Sequence, residues 1–545
     1  MLDLPDPGPA ELRRARRGVF SVYRFQTRLE PPIDWGMDPH ESARFQAHLS
    51  NWHFLDTLLG GYRQTGDPRL LRQAAEIALD WTAANPRSDP QGGPGTWSGK
   101  ITGDRAPRLA YILRASQCPG VLRPDERRTL TASLREHIDI LMGPESEGDT
   151  NHALYVQLGV AGVMRQLPGF PGAEDILDEV ASRFERILRG RLAEGVWLEH
   201  STSYQFLAIR VVERFLRWVG GRRPGLERDL QRMRRAAAWL VAPDGRHTLL
   251  GDSRMLTAPD DIAAFAERQR GMKVFRDAGI AVVRGDGSHL VVAAGFHNTT
   301  HKHADELSFE LSEAGRRVVT DTGMYHKDPG EIRDFVVSAR AHNTLTVDGE
   351  TFKVTSPGRA YGSALLATGE GEGWYAILGR NPLLRKQGVR HQRLFLYRPG
   401  QALIVLDRAE GEAEHRFERH VHLAPAVRVR GAGRGAFELG APGFAGHLRQ
   451  AADTARTARG ERDPLAGFMA TDYREWRPRT SLELADRGRE LLEAFALSFG
   501  DADARLVEPR WRAGRITATL RLAGEGAQRV EVRRRGDRLT VRVGR

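Results

Sequence analysis

The densest chemistry in this chain is the stretch His301-Lys302-His303-Ala304-Asp305-Glu306-Leu307-Ser308-Phe309, where two histidines stand one residue apart. Side chains on a strand repeat every second residue, so the stretch predicts one strand with His301 and His303 on the same face. Val318-Val319-Thr320-Asp321-Thr322-Gly323 reads as a second short strand, ending on an acid and a glycine. Arg340-Ala341-His342-Asn343-Thr344 through Gly349 reads as a third, carrying a further histidine. Three neighbouring strands would bring His303, Asp321 and His342 together. Two imidazoles and a carboxylate suit zinc, and the oxygen donor also admits a harder cation. Taken singly, each histidine reads first as a strand-edge residue satisfied by local hydrogen bonds. The fall of all three into consecutive segments favours a common site.

Two further stretches carry candidates. Gly148-Asp149-Thr150-Asn151-His152 precedes the apolar run Ala153-Leu154-Tyr155-Val156-Gln157-Leu158, so Asn151 and His152 sit at a helix N-terminus. Free backbone N–H groups and the helix dipole favour an anionic group there, although a capping role for Thr150 or Asn151 explains the same residues. Trp197-Leu198-Glu199-His200-Ser201-Thr202-Ser203-Tyr204-Gln205-Phe206 is a polar, aromatic-flanked loop entering a helix. Tyr204 there is either a functional phenol or the edge of an amphipathic core.

The elements around these stretches divide into two kinds. From about Glu41 to Arg270 the apolar spacing is helical. Phe45, Leu49, Trp52, Leu55, Leu58 and Leu59 form one stripe that predicts a continuous helix stopping at Gly60-Gly61. Further helices are predicted over Pro68–Ala84, Arg105–Ala115, Pro124–Leu141, Asn151–Arg165, Ala173–Leu188, Ser203–Val219, Leu226–Ala242 and Asp260–Gly271, with turn residues between them. Their similar lengths suggest stacked helical hairpins closing into a toroid or bundle. Near Lys273 the period falls to two, and strand-like runs continue to the C-terminus, among them Ile280–Arg284, His289–Gly295, Arg393–Tyr397, Ala402–Leu406, Ile516–Leu520 and Leu539–Val543. The expected division is a helical domain over 1–272 and an antiparallel β domain of stacked sheets over 273–545.

Composition bounds the partners. The 545 residues exceed one ordinary core, and the net charge of +11 favours anionic partners such as acidic polysaccharide. Much of that charge is scattered arginine, and no aromatic-and-basic strand signature points to nucleic acid. No stretch is apolar enough to cross a bilayer. A single cysteine, Cys118, excludes an intrachain disulfide. Met1 to Phe20 lacks the apolar core of a signal peptide, so the expectation is cytoplasmic as written, and periplasmic or secreted if a leader was removed.

Together the Asn151-His152 pair, the Glu199-His200-Ser201 loop with Tyr204, the His301–Asp305 stretch and Arg340–Thr344 resemble the heparinase II/III family of polysaccharide lyases. The resemblance implies an α+β multidomain fold, with an N-terminal incomplete α/α toroid followed by a C-terminal antiparallel β-sandwich. It also implies cleavage of acidic polysaccharides by β-elimination in a cleft between the two. Asn151, with His152, would neutralise the uronate carboxylate, and Tyr204 and His301 would share the general base and general acid roles. His303, Asp321 and His342 match positions that hold a structural zinc or similar divalent ion in metal-bearing relatives. Arg105 and His200 are the candidate substrate-binding residues. Gln205 stands where relatives commonly carry a histidine, and Tyr155 where some carry a glutamate.

Two other readings compete. A glycoside hydrolase on an α/α toroid needs a pair of carboxylates, for which Glu199 and Asp252 are available. A sugar-binding protein that kept the fold and lost turnover needs neither.

Overall fold

The computed structural model describes residues 2–117, 120–144, 148, 151–221, 223–433 and 435–544. Cys118, Asp149 and Thr150, named above, lie outside the described residues. The chain forms two compact units: one of residues 1–191 and 208–230, the other of residues 192–207 and 231–545. The expected boundary at 272 is therefore displaced. The tyrosine loop and the segment from 231 to 272 cluster with the sheets, because their apolar residues are buried against sheet strands.

The first unit is helical. Pro68–Ala84 forms as expected, with Pro68 at its first turn and the Asp67 side chain accepting from the Arg69 amide. Pro124–Met142, Asn151–Gln166 and Ala173–Gly190 lie within two residues of their predicted ends. The predicted long helix from Ser42 is instead broken into Ala43–Ser50, a 3-10 turn at His53–Leu55, and Asp56–Thr65. Trp52 interrupts it with a left-handed backbone, φ 64°. Gly60 and Gly61 lie inside the last of these helices, and a Cβ on Gly60 would meet the Pro5 carbonyl oxygen at 2.2 Å. These glycines permit close approach and do not stop the helix. Likewise, a Cβ on Gly159 would lie 2.5 Å from Gly103, so Gly99–Ala115 and Asn151–Gln166 cross with their backbones nearly touching.

The second unit holds two main sheets. One has five strands, in the spatial order Arg316–Val319, Phe309–Glu313, His289–Ala293, Ile280–Arg284 and Gly271–Phe275, all antiparallel. The other has fourteen strands among the described residues, antiparallel except where Leu365–Gly371 runs parallel to Arg538–Gly544. Strict alternation buries both faces of their central strands. Ala281 and Val283 pack with Phe395, Tyr397, Leu403 and Val405 between the two sheets. Leu394, Leu396, Ile404 and Leu406 point the other way, onto Ile516, Leu520, Val530, Val532 and Val541 of the large sheet's far strands. The stacked antiparallel sheets expected from the period-two runs are thus present. On the outer face of the five-stranded sheet, Ile280, Val282 and Val291 pack with Val196, Ala236, Leu240 and Leu250. That contact docks the loops 192–207 and 240–255 beside the segment that begins at His297.

Candidate active site

Three loops of the second unit converge at Gly251. Its backbone is left-handed, and a Cβ there would lie 2.6 Å from the His301 carbonyl and 2.7 Å from the His200 carbonyl. His301 and His200 are themselves left-handed, φ 58° and 60°, a conformation that disfavours side-chain-bearing residues by about 1–2 kcal/mol. The expected strand through His301 and His303 is therefore absent. The extended run begins only at Phe309, after a second left-handed residue at Leu307. His342 likewise precedes its strand, Leu345–Val347, which belongs to the large sheet and not to the five-stranded one. Asp321 follows the end of Arg316–Val319. The candidate side chains thus project from loops at sheet ends.

Asp252, adjacent to Gly251, is the hub. Its carboxylate meets His301 Nδ1 at 3.1 Å and His303 Nε2 at 2.9 Å, and accepts from both terminal nitrogens of Arg333. Lys327 Nζ lies 3.5 Å away. Burial pulls this carboxyl upward, but the His301 and His303 bonds and the Lys327 charge outweigh it and hold the group well below the usual carboxylate range. His301 is lowered by burial, against the opposing pull of Asp252, so its imidazole is neutral beside an ionised acid.

Lys327 ties this hub to Tyr204. Its Nζ donates to the Tyr204 hydroxyl at 2.8 Å, lies 2.7 Å from His301 Nδ1, and stands 4.7 Å from the centre of the Tyr204 ring. The Tyr204 and His301 rings stack with centroids 3.5 Å apart and planes inclined by 20°. His301 Nδ1 therefore faces an acceptor, Asp252, and a donor, Lys327. The first partner frees the Nε2 lone pair to take a proton, whereas the second leaves the proton on Nε2 to give. Around this pair, Lys327 keeps 28% of its side-chain surface, Arg333 18% and His301 10%, so the cluster opens at Lys327 while Asp252, at 2%, stays enclosed.

The metal candidates also come together. Asp321 meets His342 Nδ1 with both oxygens at 2.9 Å, and the His303 and His342 rings lie 5.2 Å apart. His303 Nδ1 and His342 Nε2 are buried without hydrogen-bond partners, as two open ligand atoms would be. Asp321 is engaged differently from a third ligand: it holds His342 and accepts from Ser308 Oγ and the Thr322 amide. Among the described residues, no group of three or more His, Cys, Asp or Glu side chains is arranged as a metal shell.

The remaining candidates have other surroundings. His200 turns Nδ1 to the Thr300 carbonyl at 3.0 Å, and its Nε2 accepts from the His297 amide at 2.9 Å. Both ring nitrogens serve the loop, so the expected substrate contact is replaced by a brace. Arg105 is fully buried in the helical unit, with Nε on His137 at 2.8 Å and Nη1 on the Ser50 and Thr96 carbonyls. Its expected grip on a substrate anion is replaced by a role inside the helices. Asn151 is buried as the first residue of its helix, and His152 is exposed. Gln205, the departure noted above, accepts from the Trp197 amide and donates to the Gly195 and Met233 carbonyls, which fixes the tyrosine loop. Tyr155 carries the Lys100 ammonium 4.5 Å from its ring centre.

Sequence reasoning missed Lys327 and Arg333, and it considered Asp252 only as a hydrolase carboxylate. Their one signal was a lysine and an arginine flanking Asp328-Pro329-Gly330, just after the Asp321-Thr322-Gly323 turn. Asp252 has no local motif; folding alone makes it the hub.

Residues 267–492 match the family described as Heparinase II/III-like, C-terminal. No curated protein sequence matches the chain. Among solved structures, it is similar to heparinase III, with TM-score 0.80, 15% identity and coverage of 100% of this chain and 92% of that one. It is also similar to a mutant of the heparan sulfate lyase HepC from Pedobacter heparinus, with TM-score 0.72, 18% identity and coverage of 98% and 90%. A chondroitinase AC lyase in complex with oligosaccharide is more distant, with TM-score 0.60, 10% identity and coverage of 99% and 92%. The helical region followed by a largely antiparallel sheet domain is the fold of these structures, and the stretch bearing His301, Lys327 and His342 lies within the residues that match the Heparinase II/III-like, C-terminal family.

Proposed function

We propose that the protein is a carbon–oxygen lyase that cleaves a uronic-acid-containing polysaccharide by β-elimination, leaving 4,5-unsaturated uronate ends. One observation carries this reading: a phenol and a neutral imidazole, Tyr204 and His301, are stacked together and bridged by a single ammonium over a buried carboxylate. Elimination needs a base for the C5 proton and an acid for the glycosidic oxygen at C4, close enough to act on one sugar. Lys327 stabilises negative charge arising on the Tyr204 oxygen when its proton leaves. Asp252 orients His301 and balances any positive charge it gains. Which residue takes the proton follows the face on which C5 presents it, and this differs between glucuronate and iduronate. Asn151, with His152, is the proposed partner of the uronate carboxylate, an assignment that rests on the family resemblance and on the donors at a helix N-terminus.

A divalent cation, zinc foremost, would take the open nitrogens of His303 and His342, and Asp321 would supply carboxylate oxygen only by turning from the His342 Nδ1 it holds here. Bound there, it would fix the loops behind His301. No step of the elimination runs through it.

The hydrolase reading draws less support. Glu199 Oε2 lies 3.7 Å from His301 Nε2 and Asp252 binds His301 Nδ1, so both carboxylates press on one imidazole instead of flanking a sugar bond.

Incubation with a panel of uronate polymers should generate the ultraviolet absorbance of a C4–C5 double bond. Tyr204→Phe and His301→Ala should each lower kcat by about 10²–10⁴-fold with circular dichroism unchanged. Full activity in both, or new reducing ends without absorbance, rejects the reading.

A further inference from the structure

We propose a second acidic-sugar site in the sheet-bearing unit: an arginine-lined cavity of about 660 Å³ that holds carboxylate or sulfate groups of a polysaccharide away from the Tyr204–His301 pair. The proposal rests on the lyase reading for its ligand class and on the cavity's own chemistry for the site. Its walls come from the turn at Gly315, the segment after the long strand Ala402–His422, the edge strand Thr454–Arg459 and the hairpin of Phe468–Asp472 with Glu475–Pro478. Five arginines line it, with one acid, Asp244.

The charges do not cancel. Arg317 takes both Asp244 oxygens, at 2.8 and 3.1 Å, and also donates to the His247 carbonyl, so this pair forms a neutral wall. Arg459 bonds the Thr480 hydroxyl and the Pro425 carbonyl and no carboxylate. Arg246 has only the Asp244 already held by Arg317 as an acidic neighbour in the lining. Arg316 and Arg477 are exposed, and among the described residues their side chains have neither hydrogen bond nor ion pair. Elsewhere on the large sheet some arginines are met by acids, as Arg449 is by Asp503, Arg515 by Glu531 and Arg416 by Glu483, while others such as Arg428 and Arg542 stand singly on exposed strand faces; what distinguishes this group is that its arginines gather around one concavity. Uncompensated guanidinium groups around a concavity are an anion site, and their fork matches the two oxygens of a carboxylate or sulfate.

The lining also selects among polyanions. Between the arginines it is apolar, with Met255, Met469 and Pro425, but no aromatic ring faces the space. A nucleic-acid strand would lack the stacking platforms that hold its bases. The volume falls within the roughly 300–1,000 Å³ of small-ligand clefts. Met255 follows Asp252 by three residues, so at most about 11 Å of extended backbone separates the cavity wall from the catalytic hub. A polysaccharide engaged at Tyr204 therefore has the cavity wall within reach of its neighbouring sugar residues.

The test uses the full chain carrying Arg316→Gln and Arg477→Gln, two exposed positions. In a Tyr204→Phe background that prevents cleavage, calorimetry would measure binding of a heparin decasaccharide, which is sulfated, and a hyaluronan decasaccharide, which carries carboxylate only. Comparing the two separates the anion sources. The double variant should bind whichever oligosaccharide the parent binds about tenfold more weakly, with the slope of log K against log salt shallower by about 1–2. With Tyr204 intact, KM for long polymer should rise severalfold at unchanged kcat. Equal affinity and salt slope in parent and variant overturn the proposal, as does a parent that binds neither decasaccharide. A single-stranded oligonucleotide that binds the parent more tightly than both sugars, and loses that advantage in the variant, overturns the sugar assignment. Loss of binding in the variant without cleavage of any polymer by the parent leaves this site standing and removes the lyase reading; cleavage with equal KM in both does the reverse.

Discussion

Arg105 in the helical unit and Asp252 in the sheet-bearing unit are both buried charges, but their partners differ in kind. Arg105 is surrounded by groups that do not change state: two chain carbonyls, the faces of Trp81 at 3.9 Å and Trp97 at 5.0 Å, and His137. His137 donates through Nδ1 to the Ser133 carbonyl and is held neutral, well below its ordinary range, by burial and by the Arg105 charge. Asp252 is surrounded by two imidazoles, an ammonium and a guanidinium, and two of these lead outward to a phenol and to solvent. A buried charge satisfied by fixed dipoles locks a structure. A buried charge satisfied by groups that can exchange protons biases where those protons sit. The pair teaches that burial alone does not mark a site, whereas the proton capacity of the partners does.

Asp252→Asn is the hardest test of that contrast. The amide keeps the shape of the side chain, but it replaces the negative charge and offers a donor where two histidines and Arg333 need an acceptor. Turnover should fall by about 10³-fold or more through loss of the oriented His301, as when a triad acid is replaced by its amide. Stability should fall by roughly 3 kcal/mol, because Arg333 loses its buried counter-charge. Steady-state kinetics and thermal melts on the same preparation would report both. Wild-type turnover with only the stability loss would make Asp252 an anchor of the Arg105 kind and erase the distinction.

Lys327→Met sharpens the comparison by removing the link and leaving the hub. The methionine fills the stem's volume without charge, so kcat should drop by about 10²-fold with KM within about twofold. Lys327→Arg should recover part of the rate. A methionine variant that keeps the parent's kcat would restrict Lys327 to packing.

The difference between the two regions also explains what could be read from the residues alone. Pro68–Ala84 was legible because its start and stop signals, Asp67-Pro68 and Asn85-Pro86, act within a few residues. The continuous helix through Trp52 was not, because its left-handed break and the glycines behind it answer to distant contacts, such as Gly60 against the Pro5 carbonyl. Tyr204, His301, His303, Asp321 and His342 were legible as residue types, and the structure brings Tyr204 to His301 and His303 to His342. The strand expected to align the histidines was not correct. The alternation from Lys302 onward continues in the pattern of residues, while the left-handed turns at His301 and Leu307 are set by the packing of three loops at Gly251. Lys327, Arg333 and Asp252 carry no spacing relative to those histidines, so only the fold could assemble them.

Arg105→Met closes the comparison from the other side and carries the smallest expected effect on turnover. Methionine removes a cation that burial disfavours, but it also strands the Ser50 and Thr96 carbonyls and His137 Nε2 without a donor. Each orphaned buried acceptor costs about 1–3 kcal/mol, which outweighs the relief, so a net loss near 3 kcal/mol is expected. Arg105→Lys should do no better, since a single ammonium cannot span acceptors on three sides. Calorimetry should show the fall in melting temperature, while kcat and KM per folded molecule stay within about twofold of the parent. A raised KM at unchanged melting temperature would instead return Arg105 to the role its residue type first suggested, a grip on the substrate's anion. In that case the fixed dipoles around it would have to open on binding, and the Arg105 and Asp252 clusters would differ in timing more than in kind.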